Sequence, residues 1–282
     1  MKIYIDGEYF DKDEARISVY DHGLLYGDGV FEGIRLYNNR VFKLEAHLER
    51  LWNSAKAILL AIPLSLAQMS EAVLKTIEKS GLKDGYIRLI VTRGKGDLGI
   101  NPMTCPKPTV IIIVDKISLY PEENYQKGIK IITASTRRIS ADALDPKIKS
   151  LNYLNNVLAK LEAIHAGCLE AIMLNHEGHV AECTGDNIFH IKNGILYTPD
   201  PSCGALQGIT RQAVLEAAEK IGMKSEVTRI TPYDLYTADE CFLTGTAAEI
   251  MPVVSIDGRS IGNGQPGGIT ADIQEAFLKL IG

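Results

Sequence analysis

Two lysines, Lys147 and Lys149, stand at the entrance to a predicted helix in the segment DPKIKSLNYLNNVLAKLEA (145–163). The helix is expected over 151–166. Leu151, Leu154, Val157, Leu158, Leu161 and Ile164 form its buried stripe, and Ser150 is its N-cap. Desolvation and neighbouring positive charge favour the free base of a lysine, and that base is a nucleophile able to condense with a carbonyl. A solvated surface charge has the same appearance in sequence. If the stretch before the helix is extended, both lysines point the same way, so spacing does not choose between them.

Four other segments offer partners for such chemistry. In GALQGITRQAVLEAAEKIG (204–222), Gly208 permits close backbone approach, and Thr210 reads as the cap of a helix over 210–221. Open N–H groups and a hydroxyl at a helix start cradle a phosphate, although an ordinary capped helix reads the same way. FLTGTAAEIMPV (242–253) reads as a buried strand whose Thr-Gly-Thr-Ala-Ala exit could aim several N–H groups at an anion. VAECTGDNIF (180–189) sets Glu182 among small and apolar residues, either holding a cofactor's protonated ring nitrogen or lying at a hairpin edge. In YIRLIVT (86–92), Arg88 shares a strand face with Tyr86 and Ile90. If buried it needs a counter-anion, which a substrate carboxylate or a structural Asp would supply. Arg50 falls opposite the apolar stripe of the helix beginning at Leu44, and spacing alone makes it solvent-exposed.

Other chemistries lack support. Gly94-Lys95-Gly96-Asp97-Leu98-Gly99 fits G-x-G-x-x-G after a strand, but the proline-rich run that follows cannot be the helix whose N-terminus holds a dinucleotide's pyrophosphate. There is no P-loop, G-x-S-x-G elbow or H-E-x-x-H motif, and the six histidines are scattered, so no metal is expected.

The elements that must position these residues fall into two groups. The first half reads as three strands, two helices (Leu44 to Leu59 and Leu66 to Ile77) and two strands, with MKIYIDGEYF as a strand–turn–strand around Asp6-Gly7. LYPEENYQK (119–127) reads as a polar linker. The second half runs from a strand at 128–136 through mixed strands and helices, including the strand 240–245, to a helix near Ile269–Ile281. The expectation is an α/β (α+β) fold of two domains, 1–118 and 128–282, with a ligand between them. The 282 residues are 46% hydrophobic and 23% charged, as in an ordinary globular protein. A net charge of −5 without a basic run gives no reason to expect nucleic acid. The five cysteines lie at least 15 positions apart, and no signal-peptide core or membrane-spanning run is seen, so a reducing cytoplasm is expected.

Taken in order, YGDGVFEGIRLY (26–37), HLERLWNSAK (47–56), YIRLIVTRG (86–94), KSLNYLN (149–155), ECTGDNIF (182–189), GITR (208–211) and TGTAAEIMPV (244–253) resemble the fold-type IV pyridoxal-5′-phosphate (PLP) aminotransferases, most closely the branched-chain amino acid aminotransferases. The resemblance implies that Lys149, not Lys147, binds the cofactor aldehyde and shuttles the proton. Glu182 pairs with the ring nitrogen and Tyr153 with the ring hydroxyl oxygen. Arg50, Ile209, Thr210 and Thr246 hold the phosphate, contrary to the helix-wheel reading of Arg50. Thr246 and Ala247 offer N–H groups to the substrate α-carboxylate. Tyr26, Phe31, Tyr86 and Arg88 line the substrate pocket, with Arg88 taking the distal carboxylate of glutamate or 2-oxoglutarate. The implied substrates are leucine, isoleucine and valine with 2-oxoglutarate, and the implied assembly is a homodimer or homohexamer. The D-amino acid transaminases are the main alternative. They usually carry leucine at the position of Tyr153, tyrosine at that of Phe31 and an Arg-x-His trap after the YIRLIV strand, none of which is present here. Aminodeoxychorismate lyase follows as a third reading. A non-catalytic relative is expected to lose the lysine or the glutamate, and this chain keeps both.

Overall fold

The structure is a computed structural model, and it describes residues 2–117 and 120–281. The chain divides into two compact units, Met1–Ile117 with Ile148–Asn152, and Ser118–Lys147 with Tyr153–Gly282.

The first unit opens on the hairpin β1 (Lys2–Ile5) and β2 (Glu8–Asp11). Its two turn residues, Asp6 and Gly7, have φ of 50° and 104°, the doubly positive geometry of an Asp-Gly hairpin turn. A short helix that periodicity does not reveal follows, α1 (His22–Tyr26), with the Asp21 carboxylate accepting the Gly23 N–H at 2.7 Å. Then come β3 (Gly29–Tyr37), β4 (Arg40–Val41), α2 (Leu44–Ala57), α3 (Leu66–Ser80), β5 (Gly85–Thr92) and β6 (Thr109–Asp115). The six strands form one sheet in the order β2-β1-β6-β5-β3-β4. Leu48, Leu51 and Ala55 of α2 and Met69, Val73 and Ile77 of α3 pack into one core with Ile34, Leu36, Ile87 and Leu89 of the sheet. Leu59, expected on the α2 stripe, lies past the helix end and is exposed. No dinucleotide helix follows β5: between β5 and β6 the only helical turn is the three-residue Pro102–Thr104.

The register of β3 and β5 sorts their side chains. Phe31 lies opposite Ile90, Gly33 opposite Arg88 and Arg35 opposite Tyr86, so these share one face of the sheet. Glu32, opposite Leu89, falls on the face that packs against the helices. Gly33 cannot be larger without consequence: a Cβ there would sit 1.8 Å from the Tyr86 hydroxyl.

The second unit contains α4 (Glu122–Lys127), β7 (Ile129–Thr133), α5 (Leu154–His165), β8 (Glu170–Leu174), β9 (Val180–Cys183), β10 (Asn187–Lys192), β11 (Ile195–Pro199), α6 (Ile209–Lys220), β12 (Ser225–Thr228), α7 (Pro232–Tyr236), β13 (Glu240–Gly245), β14 (Glu249–Ile256), β15 (Arg259–Ser260) and α8 (Gly268–Ile281). Eight strands follow the order β12-β11-β10-β13-β14-β7-β8-β9, and β15 pairs with β14. The expected linker 119–127 begins at Leu119, outside the described residues; from Glu122 it is helix, with acids in the first turn and Lys127 in the last.

Helix α5 corrects two expectations. It begins at Leu154 rather than 151, and its N-cap position is Tyr153, so Ser150 caps nothing. Its buried face is Asn156, Ala159 and Ala163, packed near Ala171 and Met173. Leu154, Val157, Leu158, Leu161 and Ile164 are 43% to 69% exposed. Alanines let the helix approach β8 closely, and Asn156 spends its amide on the Thr184 carbonyl at 2.8 Å. The large side chains are left on the outside. Among the described residues no helix is long and apolar enough to cross a membrane.

Candidate active site

In the first unit, Lys149 is fixed through its main chain. Its N–H donates to Ser54 Oγ of α2 at 3.1 Å, and its carbonyl accepts the Phe31 N–H at 3.0 Å. Leu151 donates to the Gly29 carbonyl at 2.9 Å, and Ser150 bridges to Val30. Residues 149–151 therefore add to the edge of β3 that β4 leaves uncovered. The segment just before them is a turn, not an extended strand, which separates the two lysines. Lys147 is exposed and pairs with Asp145 at 3.4 Å. Lys149 is half-buried, with Nζ 4.7 Å from the centre of the Phe31 ring.

Phe31 also meets Arg88, whose guanidinium carbon lies 4.6 Å from the Phe31 ring centre and 5.3 Å from that of Tyr86. One sheet face thus carries an amine, two aromatic rings and an arginine, as the alternation in YIRLIVT suggests. Tyr26 ends α1; its hydroxyl donates to the Leu98 carbonyl, and its ring meets His22 edge-on at 5.0 Å.

On the helix-facing side, Glu32 gathers two residues of α2. Arg50 Nε and Nη2 donate to its two carboxylate oxygens at 2.7 and 2.6 Å, and His47 Nδ1 lies 2.7 Å from Oε2. Burial alone would raise the Glu32 carboxyl. The Arg50 charge and its hydrogen bonds, then His47, outweigh burial and hold it down at about 2. Burial lowers His47 against the pull of Glu32, with Arg50 and Lys149 adding to the fall. The Arg50 side chain is only 12% exposed, which overturns the helix-wheel expectation. The wheel counts apolar residues and is blind to a buried acid on the neighbouring strand. Sequence patterning gives no role to Glu32 or His47; a lone acid inside the apolar run VFEGIRL is the available signal.

In the second unit, Glu182 on β9 is 6% exposed, so it is not a hairpin-edge side chain. Arg138 Nη2 lies 3.0 Å from its Oε1, and the Leu206 N–H donates to Oε2 at 2.8 Å. Arg138, which no sequence pattern marks, is itself buried and donates to Asn156 Oδ1 at 3.2 Å and to the Gly204 carbonyl at 3.3 Å. Asn187 Nδ2 bridges Glu182 Oε2 (3.5 Å) and the Leu206 carbonyl (2.9 Å). Glu182 is thereby tied to the strand leading into α6. That helix starts at Ile209 with Gly208 as N-cap and no side-chain capping bond; Thr210 is buried inside the first turn and is not the cap. Thr246 and Ala247 lie, as expected, in the turn between β13 and β14. Tyr153 precedes α5, four positions after Lys149.

Residues 29–256 match the family model for amino-transferase class IV. The chain belongs to that family. A Methanocaldococcus jannaschii member that carries a provisional branched-chain-amino-acid aminotransferase name is 51% identical over 277 residues, 98% of this chain and 95% of that one. The Escherichia coli branched-chain amino acid aminotransferase structure superposes with a TM-score of 0.96 at 36% identity, covering 99% of this chain and 94% of that one. A thermophile's branched-chain enzyme (T.th.), in complexes with N-(5′-phosphopyridoxyl)-L-glutamate and with 4-methylvaleric acid, gives 0.93 at 37% identity over 99% and 93% of the two chains. The mixed α/β architecture is accordingly that of the class IV aminotransferases.

Proposed function

We propose that the chain is a PLP-dependent branched-chain-amino-acid transaminase, moving the amino group of leucine, isoleucine or valine to 2-oxoglutarate and yielding branched 2-oxo acids and L-glutamate. The observation that carries this reading is the shared Phe31 ring, with the Lys149 amine at 4.7 Å and the Arg88 guanidinium at 4.6 Å. The same site must accept an apolar side chain and then a charged one, and a ring flanked by one arginine suits both. The two complexes of the T.th. enzyme, one with a glutamate adduct and one with a branched acid, support the pairing of substrates.

The residues present fit the cofactor. A buried carboxylate, a helix start without a side-chain cap and a Thr-Ala turn match a ring nitrogen and a phosphate. When bound, PLP supplies an aldehyde and an electron-accepting ring. Lys149 Nζ carries the cofactor at rest and moves the proton to and from the amino acid's α-carbon. Glu182, steadied by Arg138, holds a proton on the ring nitrogen, and Tyr153 orients the ring hydroxyl oxygen. Arg50, Ile209, Thr210 and Thr246 hold the phosphate, with Glu32 fixing the Arg50 guanidinium. Thr246 and Ala247 take the α-carboxylate, and Tyr26, Phe31, Tyr86 and Arg88 form the side-chain pocket. Borohydride reduction of the PLP-loaded protein is expected to leave a pyridoxyl group on the peptide containing Lys149; an unmodified peptide overturns the reading.

Arg88→Ala is expected to lower kcat/KM for glutamate by about 10²-fold, the scale of one charge-assisted carboxylate contact, and to lower that for leucine much less. Equal losses would show that Arg88 does not read the distal carboxylate.

The reading extends to a cytoplasmic homodimer or homohexamer. The outward apolar stripe of α5 supports self-association, because single-copy proteins seldom leave such a row in water. Light scattering that returns the mass of one chain at micromolar concentration would refute it.

A further inference from the structure

The second unit buries another pair of acids, to which the reaction assigns no part. Glu170, the first residue of β8, is 2% exposed, and Asp186, in the turn between β9 and β10, is 6% exposed. Their side chains are hydrogen-bonded to each other. Two ionised carboxylates have no donor between them, so the contact requires one proton. Every neighbouring group is consistent with this. The Thr184 hydroxyl donates to Glu170 Oε1, and so does the Ala171 N–H at 2.9 Å. The Tyr120 hydroxyl lies 3.5 Å from Asp186 Oδ2. The Lys160 ammonium of α5 stands 3.7 Å from Glu170 Oε1, half-exposed and on one side only. The Cys183 thiol and the Glu182 carboxylate complete the titratable surroundings.

The position of the pair links two parts of the proposed cofactor cradle. The Asp186 carbonyl accepts the N–H of Cys183, the residue after Glu182, at 2.8 Å. Its carboxyl lies against Gly245, the residue before Thr246, so closely that a Cβ there would be 2.0 Å from Oδ1. Only glycine admits that approach.

We propose that Glu170 and Asp186 share one proton, and that the protonated pair latches the turn after Glu182 against Gly245. The segments assigned to the ring nitrogen and to the phosphate then keep their spacing only while that proton is bound. The inference rests on the cofactor roles given above to Glu182 and Thr246. Both acids are positioning residues. Burial, then the Glu170 charge, raises the Asp186 carboxyl well above the usual carboxylate range, against the pull of Lys160 and Tyr120. An unfolded Asp releases its proton near pH ~4. The latch's contribution is therefore complete below that pH and is lost as pH rises through the raised folded value.

The test compares the full chain with Asp186→Asn and Glu170→Gln. In each variant an amide can donate to the remaining carboxylate at any pH. Melting temperature without PLP and the Kd for PLP, read from its visible absorption, are both measured from pH 5 to 9. The wild type is expected to lose melting temperature and PLP affinity more steeply with rising pH than either variant, with Kd weakening at least tenfold more. Parallel melting curves overturn the shared proton. Diverging melting curves with parallel Kd profiles overturn the latch, leaving the pair with no reach to the cradle. A wild type that binds no PLP at any pH overturns the cofactor reading and the latch together, while the melting curves still decide the proton.

Discussion

Lys149→Ala is expected to lose transamination by at least about four orders of magnitude, together with the visible absorption of bound PLP, whereas Lys147→Ala keeps both. The size follows from losing two functions at once, the attachment point of the cofactor and the group that moves the α-proton; proton transfer alone is typically worth about 10²- to 10⁴-fold. The contrast follows from geometry. Lys147 is exposed beside Asp145, and Lys149 reaches the Phe31 ring. The main-chain bonds of residue 149 to Ser54 and Phe31 do not involve its side chain, so the alanine variant is expected to melt close to wild type. Substantial activity in Lys149→Ala, or loss confined to Lys147→Ala, would refute the assignment.

Glu182→Ala is expected to lower kcat by about 10²- to 10³-fold while PLP still binds, the scale of removing one preorganised electrostatic partner. It has a second cost. Arg138 would be left buried without its carboxylate, and breaking a buried ion pair on one side costs about 3–5 kcal/mol. Glu182→Gln separates the two effects, because the amide oxygen can still accept from Arg138 and the Leu206 N–H but is a far weaker base toward a ring nitrogen. The expected pattern is a low kcat in both variants and a large fall in melting temperature only in the alanine one. An unchanged rate in either variant would remove the electron-sink role.

What can be read from sequence is whatever chain-local pattern decides. Strand 240–245 coincides with β13, and the predicted helices at Leu44, Leu66 and 210–221 lie within a few residues of α2, α3 and α6, because alternation and helical spacing are properties of neighbouring residues. The Asp6-Gly7 hairpin is equally local. The failures share the opposite cause. Arg50 is covered because Glu32 lies on another element, and Arg138 carries no pattern because its partner is 44 positions away. The leucines of α5 point its stripe toward the core in sequence, yet alanines and Asn156 do the packing. The site is legible mainly as an ordered set of short motifs. Spacing alone leaves Lys147 and Lys149 level, and only the turn before Ile148 separates them.

The greasy outer row of α5 bears on how the protein behaves when diluted. If a second copy shields Leu154, Leu158 and Leu161, each association that hides them also holds the chain folded, and mass action makes heat resistance rise with protein concentration. Working stocks thinned to nanomolar levels would then fail at temperatures that concentrated ones survive, without any change in covalent structure.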